Sequence, residues 1–275
     1  MSMHGILVEE KDIPKDAING KIDETFVPKA KVKLPEEGKF AEWKMALLKQ
    51  LREKSFRPFP TTIPMAKLEK RSLEVKGEKF DVNRIIPEPG IELEGGPVLA
   101  KGKIRTLLVL GEEGLGEKET WKQFVQAKNY WHLFVRGVFG QWTKKSPPNY
   151  VERAHVLLGR TVDLGRVWDI VATVRYLKEK EKEDISVLGV GQAGILGAYA
   201  ALFEPSIKEV TIIDPPTSHR DGPIFLNVLR VLDIPEALGL LAPRRLTLIN
   251  AKDKAFDRTA EIYRLAGAAD RLQRK

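Results

Sequence analysis

A turn rich in small residues at positions 189–194 carries the most specific chemical pattern of this 275-residue chain. It follows the apolar run 185–188, which is typical of a buried strand, and it leads into an alanine-rich stretch that predicts a helix. A strand that turns sharply into a helix can do two kinds of chemistry at its bend. Glycine amides at the helix N-terminus can bind a pyrophosphate, or the bend can present a nucleophilic side chain.

The spacing of Gly189, Gly191 and Gly194 matches the G-x-G-x-x-G pattern of dinucleotide-binding turns. Asp214 ends the next predicted strand, where a ribose-binding carboxylate would be expected. Such a turn normally follows the first strand of its sheet, whereas several predicted strands precede this one. Nucleotide binding at these glycines is therefore an alternative hypothesis.

The same turn also fits the pattern small-x-nucleophile-x-small-small. Gly189 and the pair Ala193-Gly194 would let the helix pass close to the strand, and Gly191 would occupy the nucleophile position. Glycine has no hydroxyl, and the chain contains no cysteine. An acyl-enzyme mechanism therefore has no nucleophilic atom at this bend.

Three segments carry a resemblance to a known family. They are residues 150–160 continuing to the run Arg166-Val-Trp-Asp169, the turn at 189–194, and residues 214–222, which read DPPTSHRDG. With them, residues 40–268 resemble the α/β-hydrolase superfamily, especially acetyl xylan esterases and dienelactone-hydrolase-like proteins. The resemblance implies an α/β fold with a mostly parallel sheet and flanking helices.

The resemblance also assigns positions to the catalytic machinery. It places Gly191 at the vacant nucleophile position, Gln192 at the position that supplies one oxyanion-hole N–H, and Asp253 at the acid position. The second oxyanion N–H would come from the loop 111–114, where two adjacent glutamates would repel an oxyanion. The family's histidine follows one more strand, but the last histidine here is His219. We therefore expect a degenerate catalytic triad and a missing final strand.

Other polar residues follow predicted strands and could reach the same cleft. His219 could act as an acid or base, or could be a loop histidine bonded to the backbone. Asp214 could bind a ligand hydroxyl, or a metal together with Asp253, or it could cap the turn before two prolines. Four scattered histidines without a paired spacing argue against a zinc site. We expect no metal and no cofactor.

Arg136 follows a predicted strand and is a candidate ligand-binding residue in this cleft. The alternative is a salt bridge to Asp163 or Asp169 on the long helix that follows. An arginine can serve either purpose, because its guanidinium binds carboxylates of a ligand and of a protein equally well.

The elements that position these residues can be predicted from periodicity. Residues 1–38 predict an extended N-terminal arm, and residues 39–275 predict one domain that begins with a docking helix at 39–55. After residue 103 strands and helices alternate, which predicts a parallel sheet with ligands at the carboxyl ends of its strands. We expect strands at 72–86, 91–99, 106–110, 130–135, 185–188, 210–213 and 246–250, and helices at 118–129, 150–178, 193–203 and 257–268.

Composition limits the classes of function. Hydrophobic residues make up 43% and charged residues 31% of the chain, as in a folded soluble protein, and no signal peptide is seen, so we expect a cytoplasmic protein. The formal net charge is +8, but basic and acidic residues are interleaved. We therefore expect neither nucleic-acid nor membrane binding.

These patterns favour a degenerate hydrolase-fold domain that acts as a binding or scaffold module, with a possible small-molecule ligand. The first alternative is a carboxylic-ester hydrolase of acetyl esterase type, whose site is atypical or completed by a partner. A missing final strand would leave an unpaired sheet edge, so we also expect a homodimer or a partner domain at that edge.

Overall fold

The structure, a computed structural model, describes residues 14–18, 29–75, 78–98, 103–112, 129–143 and 150–275. Of residues 73–75 and 78–82 it describes the backbone alone. The expected helix at 118–129 lies almost entirely outside the described residues.

The described residues contain strands that join in one mixed sheet. These strands are β1 (Lys67–Val75), β2 (Glu78–Glu88), β3 (Ile91–Val98), β4 (Thr106–Leu110), β5 (Tyr130–Phe134), β6 (Ile185–Val190), β7 (Ile207–Ile213), β8 (Arg245–Ile249) and β9 (Leu272–Arg274). Their order across the sheet is β1-β2-β3-β5-β4-β6-β7-β8-β9. The pairs β1–β2, β2–β3 and β3–β5 are antiparallel. The pairs β5–β4, β4–β6, β6–β7, β7–β8 and β8–β9 are parallel. The expected mostly parallel sheet is confirmed.

Helices cover the parallel part of the sheet. The α-helices of the described residues are α1 (Phe40–Lys54), α2 (Tyr150–Leu157), α3 (Val162–Glu181), α4 (Gly191–Phe203), α5 (Ile234–Gly239) and α6 (Asp257–Leu265). Every residue of β4 is buried, and five of the six residues of β6 are buried. This continuous burial explains why these strands are apolar without alternation, because a parallel strand with helices on both faces has no solvent side.

The long helix expected at 150–178 is two helices, α2 and α3. The interruption has a local cause: Gly159 has a φ of 72°, in the left-handed region that suits glycine and ends a helix. The Thr161 hydroxyl then accepts a hydrogen bond of 3.1 Å from the Leu164 amide and caps the start of α3. Periodicity alone missed the break because apolar residues continue on both sides of it.

The expectation of a missing final strand was wrong. β9 pairs in parallel with β8 and lies at the end of the sheet. The strand has only three residues, too few for an alternating pattern to be recognised in the sequence. Its position is held by the Arg274 guanidinium, which donates to the Ala251 carbonyl oxygen at 3.0 Å and pairs with Asp257 at 2.6 Å.

The last part of the N-terminal segment and helix α1 pack on the domain. The Ala30 amide donates to the Leu229 carbonyl oxygen at 2.7 Å, and the Trp43 indole donates to the Lys33 carbonyl oxygen at 2.8 Å. Leu51 of α1 is fully buried in the main hydrophobic core. These contacts tie residues 29–54 to the layer of helices above the sheet.

Candidate functional site

The bend between β6 and α4 is built by close contact between strand and helix. A Cβ atom added at Gly189 would lie 2.5 Å from the Gly194 amide nitrogen. A Cβ atom at Gly194 would lie 2.3 Å from Cγ2 of Ile212 on β7. Both positions therefore require glycine, and steric packing explains the spacing of these residues without a bound pyrophosphate.

Gly191 is the first residue of α4 and lies at the carboxyl end of β6. Its φ of 56° is in the left-handed region, which glycine adopts at little cost. In a strand-to-helix bend of this kind, the residue at this position projects above the edge of the sheet. Here nothing but hydrogen extends from the Cα atom.

A cavity of about 430 Å³ lies beside this bend, at the carboxyl ends of β4 and β6. The residues that line it are mostly polar or charged. They are Gly111, Glu112, Thr143, Asp163, Arg166, Gln192, Ala193, Leu196, Arg220, Asp221, Gly222 and Ile224. Of the residues expected at the site, Gln192 lines this cavity directly after Gly191, whereas Gly191 itself, Asp253, His219, Asp214 and Arg136 are not among its described lining residues.

The most connected polar group of the cavity is Arg166 of α3. Its guanidinium pairs with Glu112 at 2.7 Å and with Asp163 at 3.0 Å, and its Nε atom donates to the Arg136 carbonyl oxygen at 3.0 Å. The Glu112 carboxylate also accepts from the Thr143 hydroxyl at 2.8 Å. The charge of Glu112 is therefore compensated, so the repulsion expected from the loop 111–114 is reduced at this residue.

Asp163 and Glu152 add carboxyl groups beside this arginine. Asp163 is buried, and its Oδ2 atom accepts a 2.7 Å hydrogen bond from the Ile224 amide. Burial raises the pKa of Asp163, and Arg166 partly opposes this shift. Burial and the neighbouring Asp163 raise the pKa of Glu152 to about 7. The cavity lining thus carries the carboxyl groups of Glu112, Asp163 and Asp221 and the guanidinium groups of Arg166 and Arg220.

Gln192 follows the bend directly, as the resemblance requires of an oxyanion-hole residue. Its side-chain amide donates to the Asp221 carbonyl oxygen at 3.3 Å. This bond links the start of α4 to the loop after β7. The prediction assigns oxyanion binding to the backbone N–H of Gln192, which lies at the N-terminus of α4.

His219 lies in the core. Its Nδ1 atom is 2.8 Å from the Pro223 carbonyl oxygen, which can only accept, so Nδ1 carries the proton. The Tyr199 hydroxyl then donates to Nε2 at 2.7 Å. Burial lowers the pKa of His219 to about 4. This geometry favours the alternative of a structural histidine.

Asp214 and Asp253 are exposed and follow β7 and β8. Asp214 has a φ of 52° and accepts a 2.8 Å hydrogen bond from the Asn250 side chain. Asp253 accepts from the Ala255 amide at 2.7 Å and caps the short helix Lys254–Phe256. Both carboxylates thus make local turn contacts. Among the described residues, no group of three potential ligand side chains could hold a metal ion.

Arg136 forms the salt bridge that was the alternative to ligand binding. Its Nη2 atom lies 2.6 Å from Asp169, which also accepts from the Arg136 backbone amide at 2.9 Å, and Nη1 lies 2.7 Å from Glu88. Burial by itself would lower the pKa of Arg136, but Asp169 and Glu88 raise it. Gly165 permits the approach, because a Cβ atom there would lie 2.7 Å from Nη1.

Sequence reasoning missed Arg166, although this residue begins the Arg-Val-Trp-Asp run that carried the resemblance. A signal was present, because an arginine and an aspartate three residues apart on one helix, Asp163 and Arg166, can pair with each other.

In the described part of the chain, no helix is both long and apolar enough to span a membrane.

This sheet order, with a sharp strand-to-helix bend after a central parallel strand, defines the α/β-hydrolase fold, and comparison with solved structures confirms it. A Bacteroides fragilis protein described as an acetyl xylan esterase superposes with a TM-score of 0.64 over 98% of this chain and 84% of its own, at 14% identity. A CE15 glucuronoyl esterase from Caldicellulosiruptor kristjansonii gives a TM-score of 0.55 over 92% and 87% of the two chains, at 12% identity.

A methylesterase gives a TM-score of 0.60 at 12% identity, over 88% of this chain and 60% of its own. No family model and no curated protein matches this sequence. At such low identities the likeness defines the fold of the chain and leaves its activity open.

Proposed function

We propose that this chain is a hydrolase-fold protein that binds a small polar ligand in the cavity beside Gly191 and lacks serine-hydrolase chemistry. The observation that carries the proposal is Gly191 itself. It stands at the bend where this fold presents a nucleophile, in a left-handed conformation, and it has no side-chain oxygen.

The state of the histidine supports the absence of acyl transfer. A serine-type mechanism needs an imidazole that can accept a proton and later release it. Both ring nitrogens of His219 are engaged by Tyr199 and Pro223 within the core. A base with a pKa of about 4 is also poorly matched to proton transfer near neutral pH.

The composition of the cavity supports binding of a polar ligand. The side chains of Gln192, Arg220 and Asp221 are at its wall together with the paired Glu112 and Arg166. These groups offer both donors and acceptors to hydroxyl, amide or carboxyl groups. A ligand of this chemistry would retain hydrogen bonds when it leaves water, whereas an apolar ligand would leave them unpaired.

Labelling with a fluorophosphonate probe and turnover of p-nitrophenyl acetate test the absence of a nucleophile. We expect neither labelling nor turnover above that of heat-denatured protein. The Gly191→Ser variant should also remain inactive, because no histidine is among the described residues that line the cavity at the bend. Stoichiometric labelling of the unmodified chain would overturn the proposal.

A carboxylic-ester hydrolase is the second candidate, because the solved structures named above are esterases. In this case the site would be atypical, or a partner chain would complete it. Hydrolysis of acetylated xylan fragments by the purified chain, or only after addition of a partner, would favour this candidate. Nucleotide binding at the turn Gly189–Gly194 is the third hypothesis, and a flat titration with NAD would remove it.

We also propose that the chain associates with a second copy or with a partner domain. The edge that supports the proposal is β9, because β9 pairs with β8 and is itself the last strand at this end of the described sheet, so its outer side is open to pairing. The outer strands remain β1 and β9, and β1 carries the charged residues Lys67, Glu69, Lys70 and Arg71, which discourage strand pairing. Light scattering of the intact chain over a range of concentrations tests this proposal.

A further inference from the structure

Helix α2 presents an apolar face to solvent. Tyr150 and Leu157, on one side of the helix, are 72% and 79% exposed, and Leu158 just beyond it is 79% exposed. No residue of α2 is buried, while its opposite side carries Glu152 towards Asp163 and Arg166. A helix on the surface of a globular domain normally has the reverse orientation. We call Tyr150, Ala154, Leu157 and Leu158 the α2 patch.

A groove of about 730 Å³ continues from this patch. Leu158 belongs to both, and the groove extends to the end of α1 and to the segment before α5. Three cations, Lys54, Arg57 and Arg230, line it with one carboxylate, Glu53. We call this feature the basic groove.

The cations around the α2 patch and the basic groove form no ion pairs within the described part of the domain. Lys54, Arg57 and Arg230 form no ion pair with another described residue, and the same holds for Arg153 and Arg160 beside the patch. An excess of unpaired positive charge thus coincides with exposed apolar side chains.

We propose that the α2 patch and the basic groove form a docking surface for an acidic polypeptide segment that inserts apolar side chains between the leucines. This surface is separate from the cavity at Gly191. Exposed leucines rimmed by cations complement an amphipathic helix with glutamates or aspartates around an apolar stripe. Tyr150 to Leu157 covers about two helical turns, so a partner helix of about three turns would span the patch.

Charge distinguishes this occupant from two others. A second copy of the chain would bring its own arginines to the same surface, and like charges across an interface are unfavourable. A nucleic acid would pair with the arginines, but it would leave Leu157 and Leu158 without an apolar partner. The acidic polypeptide is the occupant that satisfies both features.

Fluorescence anisotropy with a labelled peptide tests the proposal. The probe is an amphipathic helical peptide of about five turns, with leucines on one face and glutamates on the other. A matched peptide carries lysines in place of the glutamates. We expect saturable binding of the glutamate peptide, weakened by salt, and at least about tenfold weaker binding of the lysine peptide.

Two double variants separate the apolar and the charged contributions. Leu157→Ser with Leu158→Ser, and Arg57→Glu with Arg230→Glu, should each weaken binding of the glutamate peptide at least about tenfold. Arg264→Glu on α6, which is exposed and lies outside the groove, should leave the affinity unchanged. All five substituted residues are exposed to solvent, so the substitutions should not disturb the core. Circular dichroism checks that the variants fold.

Three outcomes would overturn the proposal. The first is equal binding of the two peptides, or no effect of either double variant. The second is displacement of the peptide by a single-stranded RNA oligonucleotide that binds more tightly through Arg57 and Arg230. The third is a dimer, detected by light scattering, that the double leucine variant abolishes. Failure here would leave the ligand proposal at Gly191 untouched.

Discussion

Glu152 offers the sharpest test of the electrostatics around the cavity. Its two carboxylate oxygens are inaccessible to water and have no hydrogen-bond partner of ordinary geometry in the described structure. Burial and Asp163 raise its pKa from 4.5 to about 7, although the Val162 amide and Arg166 act in the opposite direction. The Glu152→Gln substitution keeps the shape of the side chain and removes its titration.

The sign of the effect follows from proton binding. Between the unfolded pKa of 4.5 and the folded pKa of about 7, the folded chain binds more protons than the unfolded chain. The contribution of Glu152 to stability is therefore complete below pH 4.5 and is lost as the pH rises through about 7. A shift of this size amounts to about 3 kcal/mol in a fully buried site, and partial exposure reduces it to about 1–2 kcal/mol.

The assay is urea unfolding at pH 5 and at pH 8. We expect Glu152→Gln to match the original chain within error at pH 5 and to exceed its free energy of unfolding by about 1–2 kcal/mol at pH 8. Glu53→Gln, at an exposed glutamate, is the control and should show no such difference between the two pH values. If the difference in free energy of unfolding between Glu152→Gln and the original chain is the same at pH 5 and at pH 8, the reasoning is refuted.

Three other substitutions test the packing and pairing of the domain, each by urea unfolding. Gly194→Ala should cost about 2–3 kcal/mol or prevent folding, since its Cβ atom would overlap Ile212; a neutral result would mean that α4 and β7 are farther apart. Asp169→Asn should cost about 2–4 kcal/mol, because it leaves Glu88 as the one carboxylate paired with the buried Arg136 guanidinium; a loss below 1 kcal/mol would argue against the Arg136–Asp169 pair. Tyr199→Phe should cost about 1–2 kcal/mol by leaving Nε2 of His219 unbonded; an unchanged midpoint would contradict the assigned tautomer.

The bend at Gly189 to Gly194 could be predicted because its determinants are local. A strand can pass into a helix this closely only if small residues stand at the crossing points, and both positions that the contacts forbid to side chains are glycines in the sequence. The strand Thr106–Leu110 was predicted with its observed bounds for a similar reason, because burial on both faces leaves a continuous apolar run.

The partners of charged side chains could not be predicted in the same way. Arg166 pairs with Glu112, which follows β4, and with Asp163 of its own helix, whereas Arg136 pairs with Asp169 and not with Asp163. The sequence is equally compatible with other pairings of these charges. The pairing depends on the angle at which α3 lies across the sheet. This angle decides which turn of α3 faces Arg136 and which turn faces Glu112.

His219 shows the same limit for a candidate catalytic residue. Its position after β7 suggested the edge of the sheet where ligands bind, but the chain turns inward there and carries the imidazole to Tyr199. Nothing within a few residues of His219 indicates this burial. The strand β9 was missed because three residues contain too little pattern, and its pairing with β8 is a contact between distant parts of the chain.

The sequence by itself determined the α/β class, the order of most of its strands along the chain, and the glycine at the bend where a nucleophile would stand. These properties follow from periodicity and from steric limits that act within a few residues. The tertiary structure alone decided which carboxylate each arginine binds, that His219 is buried, and that α2 turns its leucines to solvent. These outcomes depend on how helices and strands far apart in sequence are oriented in the packed domain, and side-chain type does not encode that orientation locally.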